Sequence, residues 1–323
     1  MITYKLVNFF HECSNNPVGE QNVELRVCRF CRRSISDGIS FNHISHAISE
    51  SLGNKHIFTL EECDECNQKF SNLEQHITNF LGVMLYTYGI EGKKSRKNPS
   101  GLRKLETPEY GFAEEGGVKT IHIKKKQSQK IYDDLVNSGT ISFQAPLKFD
   151  KFVPLNVYKS FCKFALCLFN KEDLPHFKSL VNWVTDKVGL PFEPKVLMSP
   201  YNMPTEHPKF AYFTQEVDKS TPCCIGMFFI SNLVFLVEFP TEDNFNVTDV
   251  EQHINPLNGL AECLFPNHKF DVIDLSNDQL VAMTLNFELN IPKEMKEVKD
   301  YFILNSKEEI NSIMNGENLT TSN

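Results

Sequence analysis

The chain has 323 residues, of which 41% are hydrophobic and 23% charged, and its formal net charge is −8. These proportions exclude a wholly disordered protein and suggest about two domains. No apolar run reaches the roughly 18–20 residues that a membrane helix needs, and the N-terminus lacks a signal-peptide core. We therefore expect a cytoplasmic protein without a membrane partner. The negative charge argues weakly against nucleic acid as a partner.

The ten cysteines are too sparse for a secreted disulfide scaffold, and four of them form two pairs. Cys28 and Cys31 form one pair, Cys63 and Cys66 form the other, and 31 residues separate the two. Two turns that each present two thiolates predict a closed tetrahedral site for structural Zn²⁺. The alternative is four unconnected thiols or a redox pair.

The charge is unevenly distributed along the chain. Residues 1–130 contain 18 Lys and Arg against 15 Asp and Glu, whereas residues 131–323 contain 15 against 26. Within residues 93–130, 11 basic residues face 4 acidic ones. Such a stretch beside a metal module can follow a phosphate backbone, and a solvated linker explains it equally well. The candidate phosphate contacts are Lys93, Lys94, Arg96, Lys97, Arg103, Lys104, Lys124, Lys125 and Lys126.

The secondary structure can be predicted from hydrophobic periodicity in chain order. Helical spacing predicts a helix within residues 62–81, and alternation predicts a strand at Val118–Ile123. Further helices are expected at 155–169 and 174–188. Strands are expected at 209–214 and, as a hairpin around Ser231 and Asn232, at 224–230 and 233–239.

A histidine-containing segment lies between the cysteine pairs. It reads His46-x-Ile48-x-Glu50-x-Leu52-Gly53-Asn54, and Asn67 follows Cys66 directly. Together with the cysteine pairs and Phe70, it resembles the HNH endonuclease family, in the subgroup with two CxxC zinc pairs. The resemblance covers about a sixth of the chain. It implies an α+β protein in which a zinc-stapled ββα-metal module precedes a mixed α+β C-terminal domain.

The resemblance also implies roles for individual residues. His46 would be the general base, Asn67 a ligand of catalytic Mg²⁺ or Mn²⁺, and Asn54 the central Asn that orients the loop. Two positions depart from the family pattern: Ser45 replaces a frequent acidic ligand, and Ser49 replaces a frequent Pro. The candidates that would complete the metal site are Glu50, His43 and Glu74.

The chemistry of phosphodiester hydrolysis is compatible with these residue types. A base must activate water, and a divalent ion must neutralise the charge that develops on the phosphate. A neutral imidazole suits the first task near pH 7, and an Asn carbonyl oxygen is a hard ligand suited to Mg²⁺.

We therefore expect a metal-dependent DNA endonuclease, in particular a bacterial restriction or anti-phage defence nuclease. The expected divisions are a nuclease domain at 1–92, a basic linker at 93–145 and a recognition or regulatory domain at 146–323. DNA is the expected partner, and a partner defence protein or a homo-oligomer is considered beside it. The alternative is a catalytically weakened zinc-stapled module that only binds nucleic acid or protein.

Overall fold

The structure, a computed structural model, describes residues 4–12, 17–87, 90, 110–115, 118–123, 140–148, 150–215, 224–282 and 284–292. Within this part of the chain the helices are α1 (Asp64–Thr87), α2 (Pro154–Leu168), α3 (Lys178–Val184) and α4 (Val250–Leu264). The strands are β1 (Tyr4–Phe10), β2 (Ser45–His46), β3 (Phe58–Thr59), β4 (Tyr110–Glu115), β5 (Val118–Ile123), β6 (Thr140–Lys148), β7 (Lys195–Gln215), β8 (Cys224–Phe239), β9 (Asp271–Asp274) and β10 (Thr284–Pro292). The predicted mixed α+β class is confirmed. None of the described helices is long and apolar enough to cross a membrane.

The principal sheet is antiparallel and is built around the long strand β7. β8 pairs with one side of β7, and both β1 and β9 pair with its other side. β2 and β3 form a separate two-residue hairpin. The sheet and this hairpin belong to one compact unit, which contains the described residues up to 90 and those from 151 to 281.

A second unit contains β4, β5, β6 and β10 as two antiparallel pairs. β4 pairs with β5, and β6 pairs with β10 from Thr140 opposite Pro292 to Lys148 opposite Thr284. The strand predicted at Val118–Ile123 is β5, with the same bounds. The segment 93–145, which the sequence suggests as a linker, therefore contains strands of its own.

Strand β8 differs from the hairpin that the sequence predicts. It is one strand that pairs with β7 from Cys224 to Val237, with a register shift near Ser231. Ser231 has a φ of 59°, which breaks the alternation of side chains there. Phe228 and Phe235 are seven residues apart and would point to opposite faces of a regular strand. Because of the irregularity, both contact Phe161 of α2, with ring centroids 5.0 and 5.2 Å away.

Helices cover both faces of this sheet. α2 contacts one face through Phe161, whereas Leu257 and Leu260 of α4 pack with Ile225 and Leu236 on the opposite face. α1 packs against α2. The predicted N-terminal module therefore shares a core with α2, although the sequence assigns α2 to a different domain.

Candidate functional site

The four paired cysteines converge on one point. Their Sγ atoms all lie within 4.8 Å of one another, and those of Cys31 and Cys63 are 3.8 Å apart. A tetrahedral Zn²⁺ with bonds of about 2.3 Å separates its sulfur ligands by about 3.8 Å. The four thiols are free rather than disulfide-bonded. The cluster is thus within reach of a single metal ion.

Local backbone structure explains how each pair presents its thiols. The first pair flanks a turn in which the Arg32 N–H donates to the Cys28 carbonyl at 3.0 Å and Arg32 has a φ of 63°. In the second pair, Cys63 immediately precedes α1 and Cys66 lies in its first turn. A helix start leaves N–H groups free to face thiolate charge, which favours anionic sulfur at this place.

The thiols of the cluster differ in their acidity. A hydrogen bond from the Cys66 thiol lowers the pKa of Cys28, whereas burial raises the pKa of Cys63. The same hydrogen bond to Cys28 raises the pKa of Cys66. Cysteines bind a metal ion as thiolates, so the thiols that are still protonated would release their protons when a divalent cation binds. Four thiolates form a donor set that Zn²⁺ takes.

Arg29, inside the first cysteine pair, joins the cluster to α2. Its side chain is buried, and its Nε donates to Oε2 of Glu61 at 2.9 Å. Its Nη1 donates to the carbonyl oxygens of Leu166 at 2.9 Å and Phe169 at 2.7 Å. The last carbonyls of a helix lack partners within the helix, so Arg29 satisfies two carbonyls at the C-terminal end of α2.

The hairpin of β2 and β3 carries His46. Adjacent strand residues point to opposite sides, and Ser45 is accordingly buried while the His46 side chain is 29% exposed. The Ser45 hydroxyl lies 3.5 Å from the Glu62 carbonyl oxygen. The His46 ring packs on Phe58 of β3, with centroids 4.8 Å apart. The position directly before His46 therefore faces the interior of the module.

Asn54 fixes the loop of this hairpin with its buried amide. Its Nδ2 donates to the carbonyl oxygens of Ile48 at 2.6 Å and Ile57 at 2.7 Å. Its Oδ1 accepts from the backbone N–H groups of His56 and Ile57. One side chain thus holds both ends of the loop after His46. The preceding Gly53 has a φ of 88°, a backbone conformation that favours glycine.

The segment that contains His46 runs along α1. Near the start of the helix, Nδ1 of His43 lies 3.2 Å from a carboxylate oxygen of Asp64. Further along, the Ser51 hydroxyl lies 2.6 Å from that of Thr78. Asn67 is eleven residues before Thr78, a spacing that places both on the same face of a helix. The residues that flank His46 in the chain therefore contact α1 at Asp64 and Thr78.

The three candidates that would complete the metal site, Glu50, His43 and Glu74, lie in different surroundings. Glu50 is brought to His46, with its Oε2 3.5 Å from Nε2 of the ring. His43 is exposed and faces Asp64, and Glu74 forms an ion pair with Lys163 at 2.8 Å. Asn67 is partly exposed in the first turn of α1, where its N–H donates to the Cys63 carbonyl.

Sequence reasoning missed the buried charges beneath His46. Lys163 of α2 and Glu62 are both fully buried and lie 3.1 Å apart. The available signal was a lysine within Phe161–Leu168, a run whose other members are apolar, because lysine is rarely buried without a partner. The nine candidate basic residues between 93 and 126 all lie outside the described residues.

The chain was also compared with known proteins. No family model, curated protein or solved structure matches it.

Proposed function

We propose that the chain is a metal-dependent nuclease of the HNH type, which hydrolyses phosphodiester bonds in DNA. The observation that supports this proposal best is the Asn54-fixed hairpin, which carries His46 and whose flanking residues His43 and Ser51 contact α1. The four-cysteine cluster joins the turn at Cys28 to the start of that helix, and Zn²⁺ would be its structural ion. Bound Zn²⁺ would add its binding free energy to the stability of the unit that the cysteine cluster shares with α2.

In the proposed reaction His46 is the general base. Its partly exposed imidazole can accept a proton from the attacking water, while Phe58 packs on the ring and restricts its rotation. Because Nδ1 of the ring is buried, Nε2 is the nitrogen that would take the proton, and Glu50 beside it can stabilise the imidazolium that forms. Asn54 donates hydrogen bonds to the backbone on both sides of the loop that carries Glu50.

The candidate ligands fit a hard divalent ion in part. Asn67 and Glu50 offer the oxygen ligands that Mg²⁺ or Mn²⁺ takes, whereas Glu74 is paired with Lys163 and His43 with Asp64. When bound, such an ion would neutralise charge on the phosphate and the leaving oxygen. We assign Asn67 and Glu50 as the protein ligands and leave the other coordination positions to water and phosphate.

A second candidate function has its own supporting observation. Ser45 replaces the acidic ligand, and its side chain is buried rather than directed to the surface beside His46. A module with so few metal ligands could bind nucleic acid or a protein without cutting. Tight, salt-dependent DNA binding with no cleavage by any divalent ion would select this function.

The cellular role proposed here rests on the resemblance alone. Restriction or anti-phage defence in the bacterial cytoplasm is the role that we propose, with DNA as the partner. The basic residues Lys93 to Lys104 and Lys124 to Lys126 would contact its backbone, and a defence partner protein or a second copy of the chain could join the complex.

Nicking of supercoiled plasmid DNA with Mg²⁺ or Mn²⁺ tests the proposal. The wild-type protein should nick, and His46→Ala should lose about 100-fold or more of that activity, the typical contribution of a general base. His176→Ala is the matched control, since His176 is exposed and distant in sequence from the module. Equal nicking by wild type and His46→Ala would exclude His46 as the base.

A further inference from the structure

Lys163 is a fully buried lysine that lies at the centre of three structural elements. Its Nζ is 2.8 Å from Oε1 of Glu74 on α1 and 3.1 Å from Oε2 of Glu62, directly before the second cysteine pair. The same Nζ donates to the backbone carbonyl of His46 on β2 over 3.4 Å. A lysine ammonium has three N–H donors, so these three acceptors use all of them.

The three contacts link the parts of the candidate site to one helix of the C-terminal half. Glu62 and Glu74 lie before and within α1, and His46 lies on β2. Lys163 is 117 residues from His46 in the chain. A shift of β2 along α1 would lengthen at least one of these contacts, so the lysine restrains the position of the strand against the helix.

The ammonium group of Lys163 is surrounded by aromatic, carboxylate and thiol groups in the interior. Its ammonium lies beside the ring of Phe164, 5.8 Å from the centroid, and the helix around it is apolar. Oε1 of Glu62 has no hydrogen-bond partner among the described residues, and the Cys167 thiol lies 3.7 Å from its Oε2. An ion pair buried in this way is rarely more stabilising than apolar side chains of equal volume. A role in conformational specificity accounts for it better than a role in stability.

We propose that Lys163 is a positioning residue, which holds the backbone of His46 at a fixed place beside the α1 helix that carries Asn67. As a contribution to catalysis, this inference rests on the proposed nuclease function. The active unit would then comprise the hairpin, α1 and α2 together, rather than a nuclease module separable from the C-terminal half.

The test compares the full-length wild-type chain with a double variant and a control variant. Lys163→Met removes the ammonium but leaves two carboxylates near each other in the interior, which by itself can unfold the protein. The double variant Glu62→Gln with Lys163→Met removes one negative and one positive charge, so the net charge of the cluster is unchanged. Lys159→Met is the control, because Lys159 lies one turn earlier on α2 and pairs with the exposed Asp186.

The kinetics of the double variant distinguish a positioning role of Lys163 from a role in neutralising the charge of Glu62. We expect the double variant to keep its zinc and its KM for plasmid DNA, while kcat falls about 10- to 100-fold, as for outer groups that orient catalytic residues. Wild-type kcat in the double variant would overturn the proposal, because Lys163 would then only neutralise Glu62. A double variant that fails to fold would also overturn it, by assigning Lys163 to stability alone.

Hydrogen exchange distinguishes a failure of this inference from a failure of the proposed function. If wild-type protein shows no His46-dependent cleavage, the nuclease proposal fails, and the amides of Ala47 and Ile57 then report on the strand. The Ala47 N–H donates to the Ile57 carbonyl at 3.1 Å. Faster exchange at both amides in the double variant, with unchanged exchange at Cys28, would support the restraint by Lys163. Equal exchange in wild type and double variant would overturn it.

Discussion

Nε2 of His46 lies 3.5 Å from Oε2 of Glu50, four residues further along the chain. A short 3₁₀ segment, Glu50–Leu52, follows the hairpin strand and turns the carboxylate back toward the ring. Both side chains are somewhat more than a quarter exposed, so solvent and substrate can reach them. Among the acidic residues that the sequence offers for the metal site, Glu50 is the one that the structure brings to His46.

The first prediction concerns this pair. Glu50→Ala should raise the Mn²⁺ concentration needed for half-maximal nicking by about 10- to 100-fold, because it removes a proposed oxygen ligand. Glu65→Ala is the control, since Glu65 is an exposed residue of the same helix that carries Asn67. A Mn²⁺ titration of plasmid nicking provides the measurement. The same requirement in Glu50→Ala and wild type would show that Glu50 is not a ligand.

A second prediction concerns the contact between the cysteine cluster and α2. Arg29→Met should destabilise the protein by about 3–5 kcal/mol, because the buried Glu61 loses its ion-pair partner at 2.9 Å and is left with the exposed Lys171 at 4.0 Å. Chemical denaturation of wild type and variant measures the difference. Arg33→Met, which removes an arginine exposed to solvent near the same cluster, should leave the midpoint unchanged. Similar midpoints for Arg29→Met and Arg33→Met would contradict the anchoring role of Arg29.

A third prediction concerns the metal. Purified protein should contain close to one zinc ion per chain, and Cys63→Ser should lose it. Since Cys63 shares a compact unit with α2, this variant should lower the melting temperature of the whole unit. From the sequence alone, one would expect only the N-terminal module to unfold. Cys263→Ser, at an exposed cysteine outside the cluster, should retain zinc and melt like wild type. Elemental analysis that finds no zinc in wild-type protein would refute the assignment.

A fourth prediction is a dependence of stability on pH in the C-terminal half. His253 Nδ1 lies 2.7 Å from Oε2 of Glu238, and Nε2 lies 2.9 Å from the Val247 carbonyl. Burial opposes protonation of His253, but the hydrogen bond to Glu238 and the carboxylate charge outweigh it, so its pKa is raised. Burial likewise raises the pKa of Glu238 against the opposing effect of His253.

The sign of the effect follows from these shifts. A raised pKa means that the folded state binds the proton more tightly, so the stabilisation is complete below the ordinary His value of 6.5. It is lost as the pH rises through the raised pKa of the folded state. We therefore expect His253→Gln to lower the melting temperature near pH 6 and to differ less from wild type near pH 9. His268→Gln, at an exposed histidine, should match wild type at both pH values. An equal deficit of His253→Gln at both would contradict the assignment.

Local sequence patterns predicted those features that depend on neighbouring residues. The CxxC spacing predicted the four-thiol cluster, because each pair needs only a tight turn or a helix start to present its sulfurs. Periodicity predicted α2, which the structure gives as Pro154–Leu168, and the strand Val118–Ile123. The Asn54 clamp has the same local origin, since its partners lie within six residues.

Long-range relationships were not predictable in this way. Ser231 resembles a turn residue, but β8 remains one strand because it pairs with β7 on both sides of Ser231. The irregularity there only changes the face of the sheet to which the following side chains point. Arg29 is 137 residues from Leu166, and Lys163 is 117 from His46, so no local pattern records their contacts. The packing of α1 on α2 shows that the C-terminal half contributes residues beneath the candidate site, and no local pattern indicates this.

Anomalous diffraction from crystals of the full chain soaked in Mn²⁺ tests the two proposed metal sites together. We expect a manganese peak between the His46 strand and α1, at coordination distance from the side chain of Asn67, and a separate zinc peak among Cys28, Cys31, Cys63 and Cys66. A zinc peak without manganese at Asn67, in crystals that bind Mn²⁺ elsewhere or not at all, would contradict this expectation.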